Sequence, residues 1–245
     1  RWPVEDGLPR FYREEAVRGN DRLLRHFYDG LPSLHDAAVR YTLPVFQSGT
    51  EAEMREAYLP RIELGALRPG EGGAPARILE IGIGAGANLP LYGRDVADLQ
   101  GIDPAPYLLE RARRVGAWLP FPVRLLEQSA ELLPLADASI DTVVVTWTLC
   151  SIPDPLAALR EAHRVLVPGG SLRFVEHGLA ASPVLARWQR WLTPAWRRIA
   201  GGCRLDQRAD RLLARAGFAI ERLETGHLVP GPRLFTYHYL GIARR

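Results

Sequence analysis

The chain has 245 residues, of which 47% are hydrophobic and 24% charged, and its formal net charge is +3 at pH 7. A chain of this length and composition buries the core of one α/β domain, so we expect one main domain with appendages. Every basic residue is Arg rather than Lys. The arginines are scattered among the acidic residues, which argues against the clustered basic surface of a nucleic-acid-binding protein.

The cysteines are typical of a protein from a reducing compartment, and the hydropathy pattern indicates no membrane span. Cys150 and Cys203 form neither a CxxC motif nor a four-ligand zinc spacing, so we expect neither a disulfide framework nor a metal site. The sequence has no membrane-spanning run of roughly 18 apolar residues and no charged-then-apolar leader. The Lys-free composition, rich in Ala, Gly, Pro and Arg, is typical of GC-rich bacterial genomes. We therefore expect a bacterial cytoplasmic protein.

Short apolar runs alternate with helical patterns from Arg77 onward. The run at 77–81 ends at glycines, as a buried parallel strand does. Further strands are predicted at 99–102, 123–126, 142–146 and 171–175. Helices are predicted between them at 89–92, 106–115 and 155–166, the last ended by the Val-Pro-Gly-Gly turn at 167–170. This alternation predicts βαβ units and a parallel sheet.

The two ends of the chain differ from this repeating part. Residues 218–224 and 235–243 carry β-rich patterns that predict an antiparallel hairpin closing the sheet. Residues 10–27 and 50–65 are amphipathic enough to form helices, and a Gly/Pro linker follows at 68–75. We expect residues 1–75 to form a helical cap or substrate lid, and residues 76–245 to form the main domain.

A Trp- and Arg-rich helix is predicted near 182–200. Its apolar residues recur at three- and four-residue steps among arginines; they are Leu185, Trp188, Leu192, Trp196 and Ile199, with Arg187, Arg190, Arg197 and Arg198 around them. One interpretation is a helix that packs on the domain or over its pocket. The other is a helix that lies on a membrane surface or grips an acidic ligand.

A glycine-rich turn follows the first strand. Gly82, Gly84 and Gly86 have the spacing GxGxG, with Glu80 two residues before the first glycine. A glycine turn alone is compatible with NAD, FAD, S-adenosylmethionine (SAM) or a purely structural turn. The spacing differs from the dinucleotide pattern GxGxxG, and a carboxylate suits a cationic ligand better than a phosphate. Asp103, after the second strand, is placed to accept hydrogen bonds from ribose hydroxyls, and also to cap the next helix.

The order of these motifs resembles a known family. Residues 80–86, 101–103, 141–150 and 166–170 resemble the quinone-biosynthesis methyltransferases and their methyltransferase-like relatives, over roughly residues 77–180. The resemblance implies a Rossmann-like seven-stranded sheet, mostly parallel with an antiparallel C-terminal strand. It also implies SAM as the cofactor, methyl transfer as the activity and a small molecule as the methyl acceptor.

The resemblance assigns cofactor roles residue by residue. The three glycines would line the methionine and ribose portion, Asp103 would hold the ribose, and Glu80 would lie near the sulfonium side. After the third strand the family commonly has Gly-Asp-Ala-Glu, whereas this chain has Gln-Ser-Ala-Glu, so Ser129 and the backbone of Ala130 would meet the adenine. The full set implied for the cofactor is Glu80, Gly82, Gly84, Gly86, Asp103, Pro104, Ser129, Ala130 and Thr146.

A narrower resemblance concerns the acceptor. Residues 174–178, 188–196 and 202–205, with His238, resemble the thiol-methylating branch of the methyltransferase-like proteins. This resemblance favours sulfur as the acceptor atom, while carbon and oxygen acceptors stay open. The alternative from another class is a SAM-fold protein that does not methylate and serves as a cyclase, an isomerase or a partner scaffold.

The candidate catalytic residues follow the fourth and fifth strands. His177 is best placed to act as a base, because ligands of open α/β sheets bind outside the carboxyl ends of the strands; otherwise it is a structural His. Trp147 is expected to face the methionine end of the cofactor or the acceptor. Cys150 is either a residue of the site or a small buried hydrophobe. For His238 we expect a packed, hydrogen-bonded core position.

Overall fold

The computed structural model describes residues 51–65 and 73–245, together with two short paired strands at Val4–Glu5 and Leu8–Pro9. The helix predicted at 10–27 and most of the predicted linker at 68–75 lie outside the described residues. The division into a cap at 1–75 and a main domain at 76–245 therefore stays a prediction.

The seven strands of the main sheet lie where the sequence patterns predicted them, with bounds that differ at one or both ends. They are β1 Ala76–Ile81, β2 Val96–Asp103, β3 Val123–Glu127, β4 Ile140–Thr146, β5 Leu166–His177, β6 Ala219–His227 and β7 Tyr237–Arg244. Their spatial order is β3-β2-β1-β4-β5-β7-β6. The first five strands pair in parallel, and β7 is antiparallel to both β5 and β6. The predicted Rossmann-like sheet with an antiparallel C-terminal strand is confirmed.

The Val-Pro-Gly-Gly segment at 167–170 lies inside β5 instead of forming a turn before it. Leu166 already pairs with Ile140, and the next pairing is Thr142 with Ser171, so the register shifts between them. Gly169 has a φ of +76°, a value that a residue with a side chain rarely adopts. The segment therefore ends the preceding helix, as predicted, but it does so as an irregularity within the strand.

Three of the five helices in the described residues begin with a proline. The five are α1 Glu51–Tyr58, α2 Pro106–Gly116, α3 Pro155–Val165, α4 Pro183–Ile199 and α5 Ala209–Arg215, with 3-10 turns at Leu59–Ile62 and Leu89–Leu91. At the start of α3, the side chain of Asp154 accepts a hydrogen bond from the amide of Ala157 (2.9 Å). The helix predicted at 50–65 changes to the 3-10 form at Leu59, because Pro60 cannot continue the α-helical hydrogen bonds. Sequence analysis did not predict α5.

Both faces of the sheet are buried. Alternate residues along one strand point to opposite faces, so Leu79 joins one apolar cluster with Leu159 and Leu213 of α3 and α5. Ile78 joins the other cluster, with Tyr58 and Leu109 of α1 and α2. Burial on both faces explains why the parallel strands read as continuous apolar runs in the sequence.

The helix predicted near 182–200 is α4, but its buried face differs from the predicted one. Trp188 and Trp191 are 55% and 72% exposed, whereas Ala186, Gln189 and Thr193 are buried. Gln189 turns inward because its side-chain amide satisfies three backbone groups, accepting from the amide of Ala180 and donating to the carbonyl oxygens of Gly178 and Leu234. No helix within the described residues is long and apolar enough to cross a bilayer.

Candidate active site

The three glycines of the turn after β1 all have positive φ, between +53° and +79°. A Cβ atom on Gly82 would lie 2.2 Å from Oγ1 of Thr148, and one on Gly86 would lie 2.8 Å from Cδ1 of Leu89. A Cβ atom on Gly84 would meet nothing within 4 Å. Gly82 and Gly86 therefore allow close packing within the protein, whereas Gly84 borders open space that a ligand can occupy.

Asp103 lies at the end of β2, beside this turn, and is 9% exposed. Its Oδ2 accepts a hydrogen bond from the amide of Gly84 (3.1 Å), and its Oδ1 accepts one from the amide of Ala105 (2.9 Å). The N-cap residue of α2 is Ala105 rather than Asp103, which corrects the expected cap. Asp103 instead holds the residue at the cap position. Pro104 lies between the two, at the carboxyl edge of the sheet.

Glu80 is fully buried beneath the glycine turn. Its Oε1 accepts a hydrogen bond from Nδ2 of Asn88 (2.7 Å), and its Oε2 accepts one from the hydroxyl of Tyr92 (2.8 Å). Nδ2 of Asn88 also donates to Oγ1 of Thr146 (3.0 Å). Burial raises the pKa of Glu80 to about 7, although the hydrogen bonds from Tyr92 and Asn88 and the charge of Arg55 oppose this rise.

Sequence analysis missed Asn88 and Tyr92, because neither belongs to a recognised motif. Their only signal is their place in the short turn after the glycines. Together with Glu80 and Thr146 they form a buried network under the site.

Ser129 and Ala130 follow β3. The Ser129 hydroxyl accepts a hydrogen bond from the amide of Glu131 (3.3 Å) and donates one to Oε2 of Glu131 (3.4 Å). Ala130 is buried. The adenine contacts of these two residues stay predictions.

Trp147 comes directly after β4 and has a φ of +49°, which is rare for a bulky residue. Its ring meets Tyr58 edge to face, with centroids 5.8 Å apart, and the guanidinium of Arg55 lies 5.4 Å from its centroid. Residues of α1 therefore cover Trp147. The indole nitrogen of Trp147 is buried with no hydrogen-bond partner among the described residues. Backbone strain and unpaired polar atoms of this kind concentrate at functional sites.

His238 is fully buried behind Trp147 and Tyr58. Its Nδ1 lies 2.9 Å from the carbonyl oxygen of Thr236 and 3.3 Å from the hydroxyl of Tyr58. Burial and the nearby His177 lower the pKa of His238 to about 3. The ring is therefore neutral near pH 7 and is too weak a base to remove a proton from a substrate.

His177, the last residue of β5, lies among sulfur atoms. Its Nε2 is 3.0 Å from Sγ of Cys203, which also accepts a hydrogen bond from the indole nitrogen of Trp196 (3.2 Å). Cys150 joins the same cluster, in which the three ligand-type atoms all lie within 4.8 Å of one another. The spacing of the cysteines in the sequence gave no sign of this proximity, because separate elements bring them together.

The sequence is similar to those of known methyltransferases. Residues 79–174 match the family model described as a methyltransferase domain. The thiol S-methyltransferase TMT1B of Rattus norvegicus is 34% identical over 151 residues, which cover 60% of this chain and 62% of that protein. The demethylmenaquinone methyltransferase of Thermus thermophilus is 38% identical over 106 residues, which cover 42% of this chain and 48% of that protein.

The solved structures show the same fold. The crystal structure of the cyclase SpnF superposes on this chain with a TM-score of 0.67 and 20% sequence identity. The superposition covers 94% of this chain and 97% of the SpnF chain. The matched region contains the glycine turn, Asp103 and the strands that carry them. Residues 79–174 are thus similar to a methyltransferase domain, and the sheet around them has the fold of the class I SAM-dependent methyltransferases. The chain spans about 62% of the length of the TMT1B relative.

The residues of this site fit SAM, the cofactor of the class I methyltransferases. Gly84 leaves room beside the turn, because a side chain there would enter unfilled space. The Asp103 carboxylate is fixed next to that room by two backbone amides, and a carboxylate has enough lone pairs to accept ribose hydroxyls as well. Both oxygens of Glu80 already accept protein hydrogen bonds. Glu80 therefore shapes the site through Asn88, whose side chain also reaches Thr146.

A surface cavity of about 430 Å³ lies elsewhere on the molecule. It opens at the start of α4 and is lined by residues that include Ala180, Arg187, Arg190 and Arg208. None of the predicted cofactor or catalytic residues lines it.

Proposed function

We propose that this methyltransferase transfers the methyl group of SAM to the thiol of a small molecule. The observation that carries the proposal is the state of the two histidines at the site. The ring of His238 is neutral with a pKa near 3, and Nε2 of His177 already lies against Cys203. Neither is well placed to act as a general base, so an acceptor that ionises by itself near neutral pH is favoured.

Acceptor chemistry then separates the alternatives. A free thiol has a pKa of about 8.5, so a few per cent is thiolate at pH 7, whereas a phenol has a pKa of about 10. Carbon acceptors need a base for the proton that the new bond displaces. Similarity to the TMT1B thiol S-methyltransferase over 60% of the chain supports the same choice.

Bound SAM would supply a methyl group activated on a sulfonium, which a thiolate could accept with S-adenosylhomocysteine as the leaving thioether. The protein's task is to hold the two reactants in contact and aligned. We assign the cofactor side to the glycine turn, Asp103, Pro104 and the Ser129–Ala130 segment, with Glu80 and Thr146 shaping the floor beneath. We assign the acceptor side to Trp147, whose ring lies under Arg55 and Tyr58.

The first test is methyl transfer to matched acceptors. Purified protein is incubated with SAM and either thiophenol or phenol, and addition of one methyl group is measured by mass spectrometry. We expect methylation of thiophenol and little or none of phenol. Faster methylation of phenol, or of a quinol, would contradict the thiol assignment and favour an oxygen or carbon acceptor.

The pH dependence of the rate distinguishes self-ionisation from a base on the enzyme. For a series of thiols with different pKa values, we expect the midpoint of kcat/KM against pH to follow the pKa of each thiol. One common midpoint for all thiols would instead indicate a protein base, and its loss in His177→Gln would assign that base to His177.

The alternative of a SAM-fold protein that does not methylate is tested alongside. SpnF shows that the fold alone does not decide the reaction, because it shares the fold and is named a cyclase. Calorimetric titration with SAM and with S-adenosylhomocysteine, beside NADH, measures the cofactor site directly. Binding of the adenosyl compounds without methylation of any thiol, phenol or quinol would favour the alternative.

A further inference from the structure

We propose that Cys150, His177 and Cys203 form a binding site for Zn²⁺. This cluster is the only group of metal-ligand side chains that the described residues bring together. Its two sulfur atoms and one imidazole nitrogen lie within 4.8 Å of one another. The proposal rests on this geometry and not on the proposed thiol acceptor.

The backbone around the cluster holds its members in place. The amide of Arg204 donates a hydrogen bond to the carbonyl oxygen of Cys150 (2.9 Å), which ties the segment after α4 to the segment after β4. The amide of Cys203 donates to the carbonyl oxygen of Ala200 (3.0 Å). His177 is fixed as the last residue of β5, paired with His238 of β7. The three side chains thus converge from three separate segments of the chain.

The donor set selects the kind of metal. Thiolate and imidazole ligands suit Zn²⁺, and two Cys with one His leave a fourth position for water or another ligand, as in catalytic zinc sites. With Zn–S bonds of about 2.3 Å and Zn–N bonds of about 2.0 Å, tetrahedral geometry separates the ligand atoms by roughly 3.5–3.8 Å. Since Nε2 of His177 lies 3.0 Å from Sγ of Cys203, metal entry requires these two atoms to separate by about half an ångström.

Trp196 lies against the cluster. Its indole nitrogen donates a hydrogen bond to the sulfur atom of Cys203 (3.2 Å), an outer contact of the kind that orients metal ligands. Nδ1 of His177 is buried without a hydrogen-bond partner in the described part of the chain. A metal-bound His normally donates a hydrogen bond from its second nitrogen, and loss of that bond weakens metal binding about 10–100-fold. We therefore expect exchangeable rather than permanently bound metal.

The test is titration of the whole chain with Co²⁺ after chelator treatment, under a non-thiol reductant. Tetrahedral Co²⁺ with thiolate ligands gives strong visible d–d bands and a sulfur-to-metal charge-transfer band in the near ultraviolet. We expect saturation at one Co²⁺ per chain and loss of the bands on addition of Zn²⁺. Because the protein contains only two cysteines, these charge-transfer bands report on Cys150 and Cys203 alone.

Variants assign the ligands. Cys150→Ser and Cys203→Ser should each lower the charge-transfer intensity by about half and weaken Co²⁺ binding at least tenfold. His177→Asn should shift the d–d bands, whereas the control His163→Gln, on α3 and outside the cluster, should leave them unchanged. Circular dichroism of each variant confirms folding. Absence of charge-transfer bands in the folded wild-type chain would overturn the proposal. Formation of a Cys150–Cys203 disulfide that excludes Co²⁺ would also overturn it, without affecting SAM binding or thiol methylation.

Discussion

The amide of Gly84 donates a hydrogen bond to Oδ2 of Asp103 over 3.1 Å. The bond joins the glycine turn after β1 to the end of β2, so the two motifs that the sequence predicted separately form one unit in the fold. A cofactor bound between them meets a preformed surface and avoids the free-energy cost of ordering it.

Gly84→Ala should weaken SAM binding at least tenfold while leaving the fold intact. The added methyl group enters the open space beside the turn, which the cofactor is proposed to fill. Gly169→Ala is the matched control, because Gly169 also has a positive φ and a Cβ atom added there would meet nothing within 4 Å. Each substitution should lower the free energy of unfolding by about 1–2 kcal/mol through backbone strain. Equal SAM affinity of the two variants in calorimetry would remove Gly84 from the cofactor site.

Arg55→Met should loosen α1 from the site. The Arg55 guanidinium covers Trp147 and donates a hydrogen bond to Oδ1 of Asn88, and a partly desolvated cation–π contact contributes about 0.5–2 kcal/mol. We expect hydrogen exchange of the α1 amides to quicken accordingly. Arg61→Met is the control: its ion pair with Glu224 is about half exposed, so the effect should stay under about 0.5 kcal/mol. Similar exchange in both variants would mean that Arg55 does not anchor α1.

The sequence predicted the sheet well because its signals are local. Burial on both faces makes each parallel strand a short apolar run, and the glycines of the turn have backbone angles that other residues avoid. The position of Asp103 follows from the same reasoning, since parallel strands end at one edge of the sheet.

What the sequence did not predict depends on contacts between distant segments. The inward turn of Gln189 satisfies the backbone groups of Gly178, Ala180 and Leu234, a demand that helical periodicity does not express. The proximity of Cys150 and Cys203 likewise depends on how the segment after α4 packs against the segment after β4. Neither relationship has a signature within one stretch of sequence.

The pKa of Glu80 should make stability depend on pH. Burial raises this pKa from 4.5 to about 7, so between these values the folded protein keeps a proton that the unfolded chain has lost. The free energy of unfolding contributed by Glu80 therefore falls as pH rises through this window, by up to about 1.4 kcal/mol per pH unit, and is constant above it. Tyr92, Arg55 and Asp103 are the other ionisable groups that act on the carboxyl.

Urea unfolding between pH 4.5 and 7.5 measures this slope, and Glu80→Gln should reduce it without abolishing it, because burial also raises the pKa of Glu176 to about 7. Glu110→Gln is the control. The arginines at 113 and 114 lower the pKa of Glu110 by hydrogen bonding to it, so Glu110 changes stability only at pH values below the range in which Glu80 does. An unchanged slope in Glu80→Gln would show that Glu80 titrates near its ordinary value.

Glu176→Ala should lower the free energy of unfolding by about 2–4 kcal/mol, because Oε1 of this buried residue accepts the amide hydrogen bonds of Thr148 (2.8 Å) and Leu149 (2.9 Å). Glu176→Gln retains an oxygen for both amides and should lose about 1 kcal/mol, since its new amide nitrogen replaces an oxygen atom that has no partner in the described residues.

Thr148 packs against Gly82, so Glu176→Ala should also weaken SAM binding, and Glu176→Gln should preserve it. Denaturation and calorimetry on the two variants separate these effects. Equal losses in both would assign the stability to the carboxylate charge instead of its hydrogen bonds.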